Sequence, residues 1–311
     1  MNGRPDGEAR RARAAARRII SHHLGDGAYR VCARGGGATN HVYEVAHPEG
    51  TFIVRLSLDP AKIHDFQKEQ WAIAQAREAG VPVPQVLEVG NQPGPFVYMV
   101  SNLARGEEAT RHPQRMELLE QLGALAARIH RVATHGFGST FDWSHNQLSR
   151  CETWDAYLGR ELALEARLET LAEHGGVDED RLARMRERLQ EIGGLAGEPR
   201  LNHGDLRLKN VLATREGRIT ALIDWEFATS NAAPFWDTSL ALHDLSIDEK
   251  HAYLAGYGLD VARLAEIAPH LKALNLLNYA PYLQRAVEAG DAAQVERCRT
   301  RLSGALDLYS L

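Results

Sequence analysis

Apolar and polar positions alternate along residues 29–57, with polar or glycine-rich turns near 35–40 and 47–50. Successive side chains of a β-strand point to opposite faces, so this alternation predicts a three-stranded meander. Two further apolar runs, at 86–89 and 96–100, follow a pair of prolines and predict two more strands. The first hundred residues are therefore expected to form a small antiparallel sheet.

A helical pattern interrupts these strands after Asp59-Pro60, where an N-cap residue precedes a proline suited to the first helical position. Phe66 and Ile73 mark its buried face, and Gly80 ends it. Glu69 lies three residues after Phe66 and four before Ile73, so it shares that face. A carboxylate in that position requires a cation.

Beyond residue 106 the apolar spacing becomes helical. Helices are predicted at about 113–133, 152–174 and 178–193, and again from residue 236 with breaks near 256–258, 269 and 290; a short hairpin is predicted at 211–223. Strands followed by helices indicate an α+β protein with two lobes. The predicted domains are an N-terminal lobe with its first helix at 1–101, a hinge at 102–106 and a helical C-terminal lobe at 107–311.

Composition narrows the class of protein. The chain has 311 residues, a net charge of −5 and three widely spaced cysteines, which is typical of neither nucleic-acid binders nor disulfide-rich proteins. Residues 1–105 carry 13 Lys and Arg against 10 Asp and Glu, whereas the remainder carries 23 against 31. This asymmetry suits phosphates in the first part and a cationic substrate in the second, although scattered surface charge explains it equally well.

The N-terminus lacks the apolar core of a secretory signal, and no apolar run approaches the roughly 18 residues that a membrane helix needs. We therefore expect a cytoplasmic protein, either a monomer or a homodimer, without nucleic-acid or membrane partners.

The most informative segment is 201–210, followed by 223–226. Asp205 is the candidate general base, which receives a proton from an acceptor hydroxyl or orients that hydroxyl, whereas Asn210 and Asp224 are candidate Mg²⁺ ligands. Phosphoryl transfer from a nucleotide requires this set of oxygen donors. Each residue alone also fits a turn or a helix cap, but their fixed order with His203 favours the chemical interpretation, in which His203 anchors the loop.

Three other features support a nucleotide site. Arg207 is a candidate for contact with the transferring phosphoryl group, although a surface arginine is as plausible. The glycine-rich segment 35–40 allows backbone N–H groups to approach phosphates, but it also fits an ordinary turn. Arg55 and Glu69 are predicted to pair, either to hold Arg55 against phosphates or simply to stabilise the lobe.

Acidic and aromatic residues follow the second candidate metal ligand. Trp225 and Glu226 suit a cationic, hydroxyl-rich acceptor. Trp236 is expected to pack in the core, and Asp237 to support the catalytic loop through hydrogen bonds rather than to touch substrate.

These segments together resemble the aminoglycoside phosphotransferase family, which has a protein-kinase-like fold. The resemblance covers nearly the whole chain and rests on residues 36–43, 52–56, 203–210 and 223–225. Within the family the chain is most similar to hygromycin B kinases, on the basis of segments 135–138, 153–154, 217–225 and 287–291. The family usually has lysine where this chain has Arg55, which changes the geometry available to phosphates.

The resemblance implies a bilobal fold, ATP or GTP with Mg²⁺, and a small-molecule hydroxyl acceptor of the aminoglycoside type. It places the nucleobase against the backbone near Met99–Asn102 and Mg²⁺ at Asn210 and Asp224. The residues expected to bind the nucleotide are Gly36, Gly37, Thr39, Asn40, Arg55, Glu69, Met99 and Ser101.

Other functions remain open at this point. The acceptor is alternatively a macrolide, a sugar, choline or homoserine, because relatives in the family phosphorylate these. A protein kinase is disfavoured because Asp224 is followed by Trp-Glu rather than Phe-Gly. A non-catalytic nucleotide-binding module is suggested by Arg55, but Asp205, Asn210 and Asp224 are all present.

Overall fold

The computed structural model describes residues 5–25, 27, 30–34, 40–92, 94–148, 151–243 and 245–304. The chain divides into two compact units, of which the first comprises Met1–Leu118 and Leu208–Glu226 and the second Leu119–Arg207 and Phe227–Leu311. The domain boundaries expected from the sequence remain a prediction. None of the helices in the described part of the chain is long and apolar enough to cross a membrane.

The described strands are β1 (Arg30–Arg34), β2 (His41–His47), β3 (Gly50–Ser57), β4 (Val86–Gly90), β5 (Val97–Asn102), β6 (Glu107–Glu108), β7 (Phe141–Asp142), β8 (Gln147–Leu148), β9 (Arg200–Asn202), β10 (Val211–Ala213), β11 (Ile219–Leu222) and β12 (Thr229–Asn231). The described α-helices are α1 (Pro5–Leu24), α2 (Lys62–Glu78), α3 (Arg115–Ile129), α4 (Trp154–Arg160), α5 (Leu164–Gly175), α6 (Glu179–Ala196), α7 (Phe235–Ala241), α8 (Ile247–Tyr257), α9 (Val261–Glu288) and α10 (Ala292–Leu302). An antiparallel sheet followed by a mostly helical remainder confirms the predicted α+β class.

The first unit is built on a five-stranded antiparallel sheet in the order β1-β2-β3-β5-β4. Val54 and Leu56 of β3 pack with the apolar side of α1 on one face. Phe66 of α2 packs with Met99 of β5 on the other face. Arg55 lies between Val54 and Leu56 and directly opposite Met99 in the ladder, so strand alternation places it on the α2 face.

A second, three-stranded sheet in the first unit has the order β11-β10-β6. Its hairpin, β10 and β11, confirms the prediction for residues 211–223. The sequence did not predict β6, because a pair of glutamates carries no strand pattern. Leu212 of β10 pairs with Glu108 of β6, so this strand exists only through its partner.

The second unit is mostly helical, and α9 is its central element. Helices α5, α6, α7 and α10 all pack against α9, and their apolar faces form one continuous core. The ladder between β9 and β12 pairs Asn202 with Thr229 and leads directly into residues 203–207.

Two details of the helical prediction were wrong. Pro269 does not break a helix, because it lies inside α9, which continues from Val261 to Glu288. Burial of neighbours such as Leu271 and Leu274 outweighs the cost of the lost backbone hydrogen bond. The helix predicted at 152–174 is divided into α4 and α5, with Ala163 in the left-handed region at φ 49° between them.

Candidate active site

Arg55 and Glu69 form a close ion pair in the first unit. Arg55 Nη1 donates to both carboxylate oxygens of Glu69, at 2.6 and 2.8 Å. Glu69 is only 2% exposed, so its charge has little water to stabilise it, and the pair with Arg55 replaces that hydration. The guanidinium also lies over the ring of Phe66, 5.4 Å from its centroid. The predicted pair is therefore present in the structure.

The electrostatic surroundings of this pair connect it to the candidate metal ligand. Burial of Arg55 works to lower its pKa, but Glu69, Asp224 and Glu226 together outweigh burial and raise it. Burial raises the pKa of Glu69, and Arg55 opposes that shift. Glu226 Oε2 lies 3.8 Å from Arg55 Nη2. The field of Asp224 thus reaches both members of the pair.

Asn210 and Asp224 stand at the same end of the β10–β11 hairpin. Val211 and Leu222 form the last pair of that ladder, and one residue further Ile223 N donates to the Asn210 carbonyl at 2.9 Å. Asp224 follows immediately, with φ 65°. A non-glycine residue in this region is uncommon, although aspartate tolerates it better than most. The chain therefore leaves the direction of β11 at Asp224, the candidate metal ligand.

The two residues after Asp224, Trp225 and Glu226, differ in their exposure. Trp225 is fully buried, and its indole Nε1 donates to the Leu222 carbonyl at 3.1 Å. Its ring therefore packs in the core and presents no surface to an acceptor. Glu226 is partly exposed beside Arg55, and Lys68 Nζ donates to its backbone carbonyl at 2.6 Å.

The donor set fits Mg²⁺. An amide oxygen and a carboxylate oxygen at one hairpin end are hard ligands, and Mg²⁺ completes its shell with water and substrate phosphates. No group of three or more His, Cys, Asp or Glu side chains that could hold a metal occurs in the described residues. Two protein ligands of this kind suit an ion whose other ligands are water and nucleotide phosphates.

The structure describes only some of the other residues predicted to bind the nucleotide. Gly36, Gly37 and Thr39 lie outside the described residues. The side-chain oxygen Oδ1 of Asn40 is buried and has no hydrogen-bond partner within the described residues. Met99 and Ser101 are both buried, and β5 is paired with β3 on one side and β4 on the other.

The loop that carries Asp205 belongs to the second unit and is held by Asp237 of α7. The Asp237 carboxylate accepts from the backbone N–H of His203 at 2.7 Å and of Gly204 at 2.8 Å. His203 Nδ1 in turn accepts from the Asp205 backbone N–H at 3.2 Å. The supporting roles expected for Asp237 and His203 are therefore present in the structure.

Asp205 and Arg207 form an ion pair. Arg207 Nε and Nη2 each lie 2.5 Å from Asp205 Oδ1. Asp205 is 6% exposed, whereas Arg207 is partly exposed. The guanidinium neutralises the carboxylate and directs one of its oxygens. Arg207 thus lies next to the candidate base, and its contact with a phosphoryl group remains a prediction.

Gly204 is required by the packing of this loop. It has φ 81°, and a Cβ atom at this position would lie 2.0 Å from the Phe227 carbonyl oxygen. No side chain fits there without displacement of the backbone. The glycine lets the loop pass directly beside the segment that precedes β12.

Asp237 also contacts His130, a residue that no sequence pattern identified. His130 Nε2 lies 3.2 Å from Asp237 Oδ2, and its Nδ1 lies 2.8 Å from the Tyr257 hydroxyl. A carboxylate only accepts hydrogen bonds, so Nε2 carries the proton in this contact. Burial and the charge of Asp237 raise the pKa of Tyr257, which keeps the phenol neutral. His130 follows α3 by one residue, and no local motif marks it.

Comparison with known proteins identifies the class to which this fold and these residues belong. The sequence matches the model of the phosphotransferase enzyme family, APH, over residues 30–269. The chain belongs to this family and is a phosphotransferase. No curated protein sequence matches the chain significantly.

Solved structures show the same fold at low sequence identity. A thermostable mutant of aminoglycoside phosphotransferase APH(4)-Ia, in a ternary complex with AMP-PNP and hygromycin B, has a TM-score of 0.66 and 18% identity, covering 93% of this chain and 97% of that chain. Macrolide 2'-phosphotransferase MphH from Brachybacterium faecium has a TM-score of 0.63 and 19% identity, with the same coverage. The GDP and kanamycin complex of APH(2")-IIIa has a TM-score of 0.64 and 17% identity, covering 95% and 99%.

Proposed function

We propose that this phosphotransferase moves the γ-phosphoryl group of ATP or GTP to a hydroxyl of an aminoglycoside-like antibiotic, with a hygromycin B type of acceptor favoured. The proposal is supported by the family match and by similar structures that contain AMP-PNP with hygromycin B and GDP with kanamycin. A macrolide acceptor is the alternative, since a macrolide phosphotransferase is similar to nearly the same extent.

The observation that carries the proposal is the retained set of oxygen donors. Asp205 orients the acceptor hydroxyl and receives its proton, and Arg207, which pairs with Asp205, is the candidate for contact with the transferring group. Asn210 and Asp224 hold Mg²⁺, which neutralises the phosphate charges when it is bound. Catalysis of this kind depends on positioning and on charge stabilisation rather than on a covalent intermediate.

Nucleotide binding is assigned to the first unit. Arg55, held by Glu69, faces the phosphates, and Gly36, Gly37, Thr39 and Asn40 supply the phosphate loop. Met99 and Ser101 belong to the strand that leads to the nucleobase site. Asn40 Oδ1, which is buried and has no hydrogen-bond partner among the described residues, supports this assignment, because a buried acceptor is costly unless a donor from protein, ligand or water completes it.

The acceptor is assigned from charge. Residues 106–311 have an excess of acidic over basic residues, which suits an acceptor with several positive charges. Glu226 is retained as a candidate acceptor contact because it is partly exposed. The burial of Trp225 favours a packing role instead.

A nucleotide-consumption screen tests the proposal. Purified protein is incubated with ATP or GTP and Mg²⁺ against panels of aminoglycosides, macrolides and small metabolic alcohols, and the product mass is measured. We expect an increase of one phosphoryl group on an aminoglycoside. Phosphorylation of a macrolide or a metabolic alcohol alone would replace the proposed acceptor. In a parallel incubation with labelled ATP and a cell lysate, label on proteins but on no small molecule would indicate a protein kinase.

A further inference from the structure

Lys68 is a buried cation for which the proposed mechanism has no role. It is 7% exposed and lies on α2 directly before Glu69. Its ammonium donates to the backbone carbonyl of Glu226 at 2.6 Å, across 158 positions of sequence. Burial lowers the pKa of Lys68 against the opposing charges of Asp65, Glu69 and Glu226. An ammonium is costly to bury, so this contact requires a structural reason.

One explanation is a second phosphate-binding cation, but the position of the ammonium disfavours it. Lys68 is buried, and its Nζ donates to the backbone carbonyl of Glu226 at 2.6 Å. Arg55 instead has a guanidinium nitrogen 3.8 Å from Glu226 Oε2, and Asp224 helps to raise the pKa of Arg55. Lys68 therefore serves the segment that follows the candidate metal ligand.

Consecutive residues of α2 hold two different segments. Glu69 binds Arg55 on β3, whereas Lys68 binds the carbonyl two residues after Asp224. Arg55 also approaches the Glu226 carboxylate. Glu226 is thus held at its backbone by one cation and at its side chain by another, two residues after Asp224, which has the left-handed conformation.

We propose that Lys68 is a positioning residue for Mg²⁺ binding, because its bond to the Glu226 carbonyl fixes the backbone that presents Asp224. The proposal rests on the function proposed above. Groups that orient a metal ligand without touching the metal typically change metal affinity by about 10- to 100-fold when they are removed. Because Lys68 lies on α2, a displacement of this helix would also displace the segment that carries Asp224.

The test compares Lys68→Met with Lys62→Met, which removes the same charge from the same helix at a partly exposed position where Lys62 pairs with Asp65. ATP binding is measured by calorimetry across a Mg²⁺ titration and in EDTA. We expect Lys68→Met to raise the Mg²⁺ concentration for half-maximal binding about tenfold while affinity in EDTA stays unchanged. Lys68→Arg, which retains a donor, should recover part of the loss. Equal Mg²⁺ dependence in Lys68→Met and Lys62→Met would overturn the proposal.

Hydrogen–deuterium exchange separates this inference from the proposed function. In the ligand-free protein, amides of residues 223–227 should exchange faster in Lys68→Met than in Lys62→Met, because the segment has lost its support. If the wild-type protein shows no Mg²⁺-dependent nucleotide binding, the proposed function fails and the exchange comparison alone decides the role of Lys68. Unchanged exchange would show that Lys68 does not hold the segment.

Discussion

In the first unit, the candidate metal ligand Asp224 lies near charged side chains, whereas in the second unit the candidate base Asp205 lies on a loop held through its backbone. Arg55, Glu69 and Lys68 hold the first arrangement with ion pairs and one carbonyl contact. Asp237 holds the second by accepting two backbone N–H groups. Substitutions in the first unit should therefore change charge balance, and those in the second should change loop geometry.

The largest expected effect separates the two carboxylates by function. Asp205→Asn should lower the turnover number by about a hundredfold to ten-thousandfold, because a positioned base contributes that much. Binding of Mg²⁺ and nucleotide should remain, since Asp205 is assigned to the acceptor hydroxyl. Steady-state kinetics and calorimetry measure the two properties separately.

Asp224→Asn is the matched control. Asparagine tolerates the left-handed conformation, so the backbone at φ 65° should persist while one charge is lost. This variant should lose Mg²⁺-dependent nucleotide binding. If both variants lose binding, or if Asp205→Asn retains full turnover, the division of roles between the two carboxylates is wrong.

The next effect concerns stability and its pH dependence in the first unit. Arg55→Met leaves Glu69 buried without its partner, which should cost about 3–5 kcal/mol when Glu69 is charged. Burial already raises the Glu69 pKa above 4.5, and loss of Arg55 should raise it further. The folded state then binds a proton that the unfolded state has released, so stability falls as pH rises through this window. Urea unfolding at pH 5 and pH 8 measures the difference.

A double variant sharpens this prediction. Arg55→Met with Glu69→Leu removes the orphaned charge, so most of the stability at pH 8 should return. A single variant that is equally destabilised at both pH values would show that packing over Phe66, rather than charge, is what Arg55 contributes to stability.

The smallest expected effect lies in the second unit. Asp237→Asn replaces one accepting oxygen with an amide group that faces a backbone N–H or His130. Leaving one buried donor unsatisfied should lower the free energy of unfolding by about 1–3 kcal/mol. Turnover should fall while nucleotide affinity is retained, because the loop that carries Asp205 moves. Asp291→Asn provides a comparison, since that aspartate caps α10 through a single backbone contact at an exposed site. A loss of turnover equal to that of the control would contradict the supporting role.

The parts of the site that could be predicted from sequence are those encoded by adjacent residues. The alternation around Arg55 predicted its strand, and the helical spacing of Phe66, Glu69 and Ile73 predicted that Glu69 needs a cation. The fixed order of Asp205, Asn210 and Asp224 indicated phosphoryl transfer. In each case the signal lies within a short stretch of sequence: one strand, one helix face, or one loop with the hairpin that follows it.

The parts that could not be predicted depend on partners distant in the chain. Strand β6 forms because it pairs with β10. Helix α9 continues through Pro269 because buried neighbouring side chains stabilise it. Lys68 finds its acceptor 158 positions away, and His130 finds Asp237 at a separation of 107. A buried cation or histidine carries no local sign of its partner.

The sequence by itself therefore determined the family and the sheet and indicated the candidate oxygen donors, because periodicity and short motifs record which face is buried and which chemistry is available. The tertiary structure decided which cation supports which carboxylate and which aromatic residue packs rather than binds. Burial makes that choice, since a charge removed from water is stable only beside the group that folding brings to it.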